Sequence, residues 1–120
     1  MNRALATLTL CLVSMRLFAA VEESTLVIFE GALEGSIREA SEIARDANRK
    51  PMQALGFFGI ENNMKVLELS PASGYWSKII GPSLCSNEGR LVFTIGLSEE
   101  FKSDVMTLPG LECTSAINAE

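Results

Sequence analysis

The sequence predicts an α/β fold, and two observations carry that prediction. Short apolar runs with turn residues on either side indicate three strands, at Lys65–Leu69, Arg90–Ile95 and Glu112–Ile117. Two helical patterns, at Tyr75–Leu84 and Glu99–Met106, lie between them. Because strands that alternate with helices pair in parallel through right-handed crossovers, we expect a parallel sheet over residues 64–120, with about three strands.

Residues 1–20 have the layout of a secretory signal peptide. A positive charge at Arg3 precedes the apolar run Ala4–Val13, and small residues offer a cleavage site after Ala19 or Ala20. The alternative is an uncleaved anchor or a buried helix, although the run is short for a bilayer span. We therefore expect an exported protein, periplasmic or extracellular, with no membrane span after the signal.

Residues 21–63 form a predicted helical extension ahead of the sheet. Glu22–Glu34 is a mixed segment with no clear assignment. Ser36–Asn48 has apolar residues on one face and charged residues on the other, which predicts an amphipathic helix. Ser36 followed by Glu39 fits a capping box at its start.

A second short helix is predicted to begin at Pro51 and to end at Gly59. Proline suits the first helical position, and glycine is the usual residue just past a helix end. We expect Phe57 and Phe58 to pack against the sheet as core residues.

The third predicted helix, Tyr75–Leu84, contains Gly81 and Pro82 near its end. Proline lacks the N–H that a helix interior requires, so these residues should end or kink the helix early.

Charge and composition exclude several functions. The net charge is −5, from 10 basic and 15 acidic residues, and this does not favour nucleic acid as a partner. The chain has no histidine, which excludes histidine-based triads, histidine general bases and most catalytic zinc sites.

Cys85 and Cys113 are the cysteines that remain after the predicted signal. An oxidising compartment would permit a disulfide between them. In the predicted sheet a strand lies between the two, which favours two separate buried thiols over a bridge.

A candidate cofactor site follows the first predicted strand. The strand ends beside an acidic residue, a turn of small residues follows, and a helix then begins, so backbone N–H groups and a positive helix end meet there. An acid at this point can hold a polar or cationic part of a ligand, and small residues let the ligand approach the backbone. The candidate residues are Glu68, Ser70, Pro71, Ala72, Ser73, Gly74 and Tyr75.

Each candidate also has a structural interpretation. Glu68 could be an acid that ends a strand in solvent, and Gly74 could serve to begin the helix without contacting a ligand. Tyr75 and Trp76 could stack on a ligand, although Trp76 falls on the apolar face of the helix and fits the core. The charge cluster Arg45, Asp46, Arg49 and Lys50 fits an ion-pair network or a solvated face.

The stretch from residue 29 to residue 91 resembles a family of exported bacterial proteins with a class I S-adenosylmethionine-dependent methyltransferase-like fold. The matching words are Ala44-Arg45-Asp46-Ala47-Asn48-Arg49-Lys50-Pro51, Leu55-Gly56-Phe57-Phe58-Gly59-Ile60, Met64-Lys65-Val66-Leu67-Glu68-Leu69, Gly74-Tyr75-Trp76, Ile80-Gly81-Pro82 and Gly89-Arg90-Leu91. The resemblance implies the first half of a Rossmann-like methyltransferase sheet, and S-adenosylmethionine as the cofactor of the candidate site.

The chain departs from the family pattern at three points. Where the family typically reads Glu-Leu-x-Pro-Gly-Gly-Gly-Trp-Tyr, this chain carries Ala72 and Ser73 in place of two glycines and exchanges the two aromatics. No acid stands at Phe93–Gly96, where such enzymes hold the cofactor ribose. About three strands stand where the fold has about seven, so the resemblance implies a truncated member whose exposed sheet edge favours self-association or a completing chain.

We expect an S-adenosylmethionine-dependent methyltransferase-like protein whose methyl acceptor the sequence does not identify. The alternative is a non-catalytic secreted module that binds a ligand or a partner, or a gene remnant. A dinucleotide-binding oxidoreductase fragment is less favoured, because the loop lacks the spaced glycines G-x-G-x-x-G.

Overall fold

The computed structural model describes residues 21–117, and the predicted signal peptide lies outside this range. The described residues form helices and strands in the order α1 Glu23–Leu33, α2 Ala40–Ile43, α3 Asp46–Arg49, α4 Pro51–Phe58, β1 Lys65–Leu69, α5 Ser77–Cys85, β2 Arg90–Thr94, α6 Glu99–Asp104 and β3 Thr114–Ala116. The start of α4 at Pro51 and the bounds of β1 are those that the sequence predicts.

The three strands form one parallel sheet in the order β1-β2-β3. Lys65 pairs with Arg90 in the register of β1 and β2, and Leu91 pairs with Thr114 in that of β2 and β3. The prediction of an α/β fold with a three-stranded parallel sheet is therefore confirmed. Two strands are shorter than predicted, since β2 ends at Thr94 and β3 begins at Thr114.

The core lies on one face of this sheet. It brings together apolar side chains from α1, α4, α5, α6 and β2 and from the loops around them, namely Phe29, Leu55, Tyr75, Ile79, Ile80, Leu84, Leu91, Phe93, Phe101, Val105 and Leu111. Because side chains alternate along a strand, Leu67 and Leu69 lie on the face opposite to Leu91 and Phe93, and they are 53% and 59% exposed. The described helices thus cover one face of the sheet.

The predicted helix Ser36–Asn48 is wrong as a continuous element. The chain forms α2 and α3 there, and the earlier segment, which the sequence left unassigned, is helical as α1. The capping box forms three residues later than predicted, with Glu39 as N-cap and its amide donating to Glu42 Oε2 at 2.8 Å. Arg38 lies in the segment before α2, where its buried guanidinium donates to the Leu33 carbonyl and to the Asp46 carboxylate.

The prediction that Phe57 and Phe58 belong to the core is wrong. Their side chains are 81% and 72% exposed and contact each other edge to face, with ring centroids 5.4 Å apart. The helix α4 instead turns Leu55, which is 2% exposed, toward the core. The face that a short helix buries depends on its neighbours, and apolar residues occur on both sides of α4.

Pro82 lies inside α5, which continues to Cys85, so the expected early end of this helix does not occur. Gly81 brings this helix close to the loop before β3. A Cβ atom at Gly81 would lie 1.9 Å from Leu111 Cδ2, so the backbone of α5 packs directly on the loop before β3.

Cys85 and Cys113 form a disulfide with Cα atoms 5.2 Å apart, which corrects the prediction of two separate thiols. The helix α5 runs back across the face of the sheet to the end of the sheet at which β3 begins. Its last residue therefore reaches the loop before β3 without an intervening strand. The Cys113 amide also lies 3.2 Å from Cys85 Sγ.

A buried ion pair joins the N-terminal helices to α5. Lys78 Nζ lies 3.1 Å from both carboxylate oxygens of Glu42, and the two residues are 8% and 5% exposed.

Within residues 21–117, no helix is long and apolar enough to cross a membrane.

Removing the disulfide should lower stability. The bridge closes a loop over a sequence separation of 28 residues, for which loop-closure entropy gives about 3.5 kcal/mol. We expect the double variant Cys85→Ser, Cys113→Ser to lose about that much unfolding free energy in a urea titration. Alkylation of Cys85 and Cys113 in the denatured but unreduced chain would contradict the bridge.

Breaking the buried ion pair should also be costly. Lys78→Met leaves the Glu42 carboxylate buried without its counter-charge, so we expect a loss of about 3 kcal/mol in unfolding free energy. Lys102→Met is the matched control. Its pair with Glu99 is exposed, and the expected change is about 0.5 kcal/mol or less. Equal effects of the two substitutions would contradict a structural role for the buried pair.

Candidate functional site

A cleft of about 500 Å³ lies between α3 and α4 on one side and β1 with its following loop on the other. This volume falls within the range of roughly 300–1,000 Å³ that small-molecule sites span. The residues that line the cleft are Arg45, Arg49, Ala54, Leu55, Phe58, Ile60, Val66, Leu67, Glu68, Leu69, Ser70, Pro71, Ala72, Ser73, Tyr75, Trp76 and Ile80. The cleft therefore opens at the carboxyl end of a parallel strand, where α/β proteins bind ligands.

The loop after β1 is built from residues with left-handed backbone conformation. Ser70, Ala72 and Gly74 have φ values of 51°, 52° and 85°. The Ser70 amide donates to the Thr94 carbonyl at 3.1 Å, which anchors the loop to the end of β2. Non-glycine residues rarely adopt this conformation, so the loop holds strain at two positions.

Six of the seven predicted site residues line this cleft: Glu68, Ser70, Pro71, Ala72, Ser73 and Tyr75. Gly74 does not, because it is buried on the other side of the loop. A Cβ atom there would lie 2.9 Å from Val105 Cγ1. The positive φ and the contact with Val105 both require glycine at this position, so packing accounts for Gly74 without a ligand.

Glu68 is half-buried in the cleft wall, and Ser77 Oγ donates to its Oε2 at 2.8 Å. Burial raises the pKa of the Glu68 carboxyl, and the hydrogen bond from Ser77 partly opposes that rise. Among the described residues no cation forms an ion pair with Glu68. This carboxylate therefore sits where its charge is disfavoured, which is typical of functional sites.

Tyr75 and Trp76 contact each other edge to face, with ring centroids 5.1 Å apart. Tyr75 is buried, and its hydroxyl donates to Asp46 Oδ1 at 2.6 Å. Burial and this hydrogen bond raise the pKa of Tyr75 to about 12, so the phenol stays protonated. Trp76 is half-buried, packs against the core and lines the cleft, so the core prediction and the ligand prediction each describe part of its surface.

The charge cluster that the sequence assigned to an ion-pair network or a solvated face divides between two roles, and its fourth member, Lys50, is exposed. Asp46 pairs with Arg38, a partner that the sequence did not suggest. The hydrogen bonds from Arg38, followed by that from Tyr75, lower the pKa of the Asp46 carboxyl. Arg45 and Arg49 line the cleft instead. Their spacing of four residues puts them on one side of the chain and was the available signal.

The end of β2 has no acid, as the sequence shows, but it has an unusual backbone. Ile95 and Gly96 have φ values of 58° and 70°. A β-branched residue in this region is a conformational outlier. A Cβ atom at Gly96 would lie 3.3 Å from Ser70 Oγ, so the two loops at this end of the sheet are in close contact.

In residues 21–117, no group of histidine, cysteine, aspartate or glutamate side chains is arranged to hold a metal ion. Comparisons of the chain with protein-family models, with curated proteins and with solved structures found no match.

Substituting glycine for Ala72 should stabilise the protein. Alanine in the left-handed region costs about 1–2 kcal/mol, and the greater entropy of glycine in the unfolded chain offsets about 0.4–1 kcal/mol of that gain. We expect Ala72→Gly to raise the unfolding free energy by about 0.5–1 kcal/mol in a urea titration.

Ala47→Gly provides the control for this substitution. Ala47 is an exposed residue within α3 with ordinary helical backbone, so glycine there should lower stability by about 0.5–1 kcal/mol. Losses of similar size in both variants would show that residue 72 does not hold a left-handed conformation.

Proposed function

We propose that this chain binds S-adenosylmethionine in the cleft and is an S-adenosylmethionine-dependent methyltransferase-like protein. The observation that carries the proposal is the Glu68 carboxylate, which lies at the end of β1 in a cleft of ligand size. Its charge is disfavoured by burial, and a polar or cationic group on a ligand would stabilise it.

The rest of the cleft suits an amphipathic cofactor. Leu55, Ile60, Val66 and Ile80 contribute apolar surface, and Trp76 offers an aromatic contact. The loop residues Ala72 and Ser73 are small and exposed at the rim. These features would let a nucleoside pack against side chains while its polar groups approach the loop backbone.

The cleft residues would bind and orient the cofactor. When bound, S-adenosylmethionine supplies an electrophilic methyl group. Glu68 and the loop that follows it would hold the cofactor, and the apolar wall would exclude water from it. No methyl acceptor is proposed, and the chain contains no histidine that could act as a base toward one.

The disulfide supports export as part of the same proposal. Disulfides persist in oxidising compartments, and Cys85 is bonded to Cys113. A periplasmic or extracellular location agrees with the positive, apolar and small-residue pattern of residues 1–20.

A non-catalytic binding module is the second candidate, and a different observation favours it. The strand β1 lies at an edge of the described sheet, and its residues Leu67 and Leu69 are more than half exposed on the uncovered face. An apolar sheet edge of this kind can pair with a second chain, either another copy or a partner that extends the sheet.

Substitution of Glu68 tests the proposal and separates a functional acid from a structural one. Glu68→Gln keeps an acceptor for Ser77 Oγ and removes the charge. We expect the affinity for S-adenosylmethionine, measured by isothermal titration calorimetry on the full chain, to fall at least about tenfold. Glu88→Gln, in an exposed loop, is the control and should leave binding unchanged.

The same variant should be more stable than the unaltered chain at pH 7. The pKa of Glu68 is raised in the fold, so the unaltered chain loses stability as pH rises above the ordinary glutamate pKa of 4.5. The difference between the two proteins should therefore disappear below that pH. Absence of S-adenosylmethionine binding to the unaltered chain would overturn the proposal, and a less stable Glu68→Gln variant would make Glu68 a structural acid.

A further inference from the structure

Two arginines form one wall of the cleft. Arg45 and Arg49 are four residues apart, and both guanidinium groups lie over the ring of Tyr75, with their central carbons 5.6 Å and 4.3 Å from the ring centroid. Within residues 21–117, neither forms an ion pair with a carboxylate. A guanidinium that stacks on an aromatic face keeps the N–H groups at its edge free to donate.

The nearby carboxylate does not neutralise them. Asp46 Oδ2 accepts from Arg38 Nη1 at 3.0 Å, and Asp46 Oδ1 accepts from both Arg38 Nη2 and the hydroxyl of Tyr75. This carboxylate is therefore engaged by a two-pronged guanidinium contact and a phenol. Two positive charges remain on the cleft wall.

The cleft consequently carries charges of both signs. Arg45 and Arg49 contribute two cations, and Glu68 contributes one partly buried anion. A ligand with a phosphate group would gain at the arginines but would bring more negative charge into the cleft that holds Glu68. A ligand with one carboxylate and one cationic group satisfies both ends.

We propose that Arg45 and Arg49 form a subsite for the carboxylate of a zwitterionic, amino-acid-bearing ligand, with its cationic group toward Glu68. Planar guanidinium groups match a carboxylate through paired N–H donors. This inference rests on the proposed function, because the amino-acid end of S-adenosylmethionine has these charges. It adds that the N-terminal helices supply part of the binding site.

The test compares two ligands that differ only in the carboxylate. S-adenosylhomocysteine carries it, and decarboxylated S-adenosylhomocysteine keeps the amine, the thioether and the adenosine but lacks it. We expect the full chain to bind S-adenosylhomocysteine at least about tenfold more tightly in calorimetric titrations. This comparison needs no substitution, so the folding of a variant does not affect it.

Substitutions then identify the residues that cause the preference for the ligand with the carboxylate. In the double variant Arg45→Gln, Arg49→Gln the ratio of the two dissociation constants should fall toward one. Arg49→Lys, which keeps the charge but loses the planar fork, should give an intermediate ratio. Arg90→Gln is the matched control, since Arg90 is exposed at the opposite end of the β strands and should keep the full ratio.

Failure of the subsite and failure of the proposed function are distinguishable. Equal binding of the two ligands to the unaltered chain, or a preference that survives in the double arginine variant, overturns the subsite and leaves cofactor binding in place. If neither ligand binds the unaltered chain although S-adenosylmethionine does, the subsite is overturned and the proposed function stands. If S-adenosylmethionine does not bind either, both are overturned.

Discussion

The carboxylate of Asp46 holds together the parts of the molecule that form the cleft. It lies in α3, and it bonds Arg38 from the segment before α2 and Tyr75 from the loop before α5. Removing such a carboxylate would leave a buried guanidinium without its counter-charge. The buried pair of Glu42 and Lys78 makes a second connection between the same two regions. These contacts place the arginine wall opposite the loop after β1.

The second constraint is the backbone at the carboxyl ends of β1 and β2. Ser70, Ala72 and Ile95 hold left-handed conformations that side chains disfavour, so neighbouring contacts must maintain them. The Ser70 amide bonds the Thr94 carbonyl, and Gly74 packs on Val105. The strain is therefore located next to Glu68, at the point where a ligand would approach the backbone.

Local patterns predicted the elements whose boundaries depend on local chemistry. Pro51 marks the start of α4 and Gly59 its end, and the apolar run of β1 was read correctly at both ends. The errors concern contacts between distant residues. The exposure of Phe57 and Phe58 depends on which side of α4 meets the core, and the disulfide depends on where α5 ends relative to β3. Six of the seven predicted site residues line the cleft because they are consecutive or nearly so. The two arginines join them only through the distant contacts of Asp46, Arg45 and Arg49 with Tyr75.

The helical segment and the sheet cannot be assigned separate roles at the cleft. Phe29 of α1 is fully buried in the same core as Phe93 of β2, so the two parts share their apolar interior. The two arginines come from α3 and the residue just before it, and the acid comes from β1, on either side of the boundary that the sequence predicts at residues 63 and 64. A ligand that required both charges would bind only when the two parts are packed together. Binding at this cleft would thus be coupled to the packing of the N-terminal helices, because a ligand that binds only the native state stabilises it.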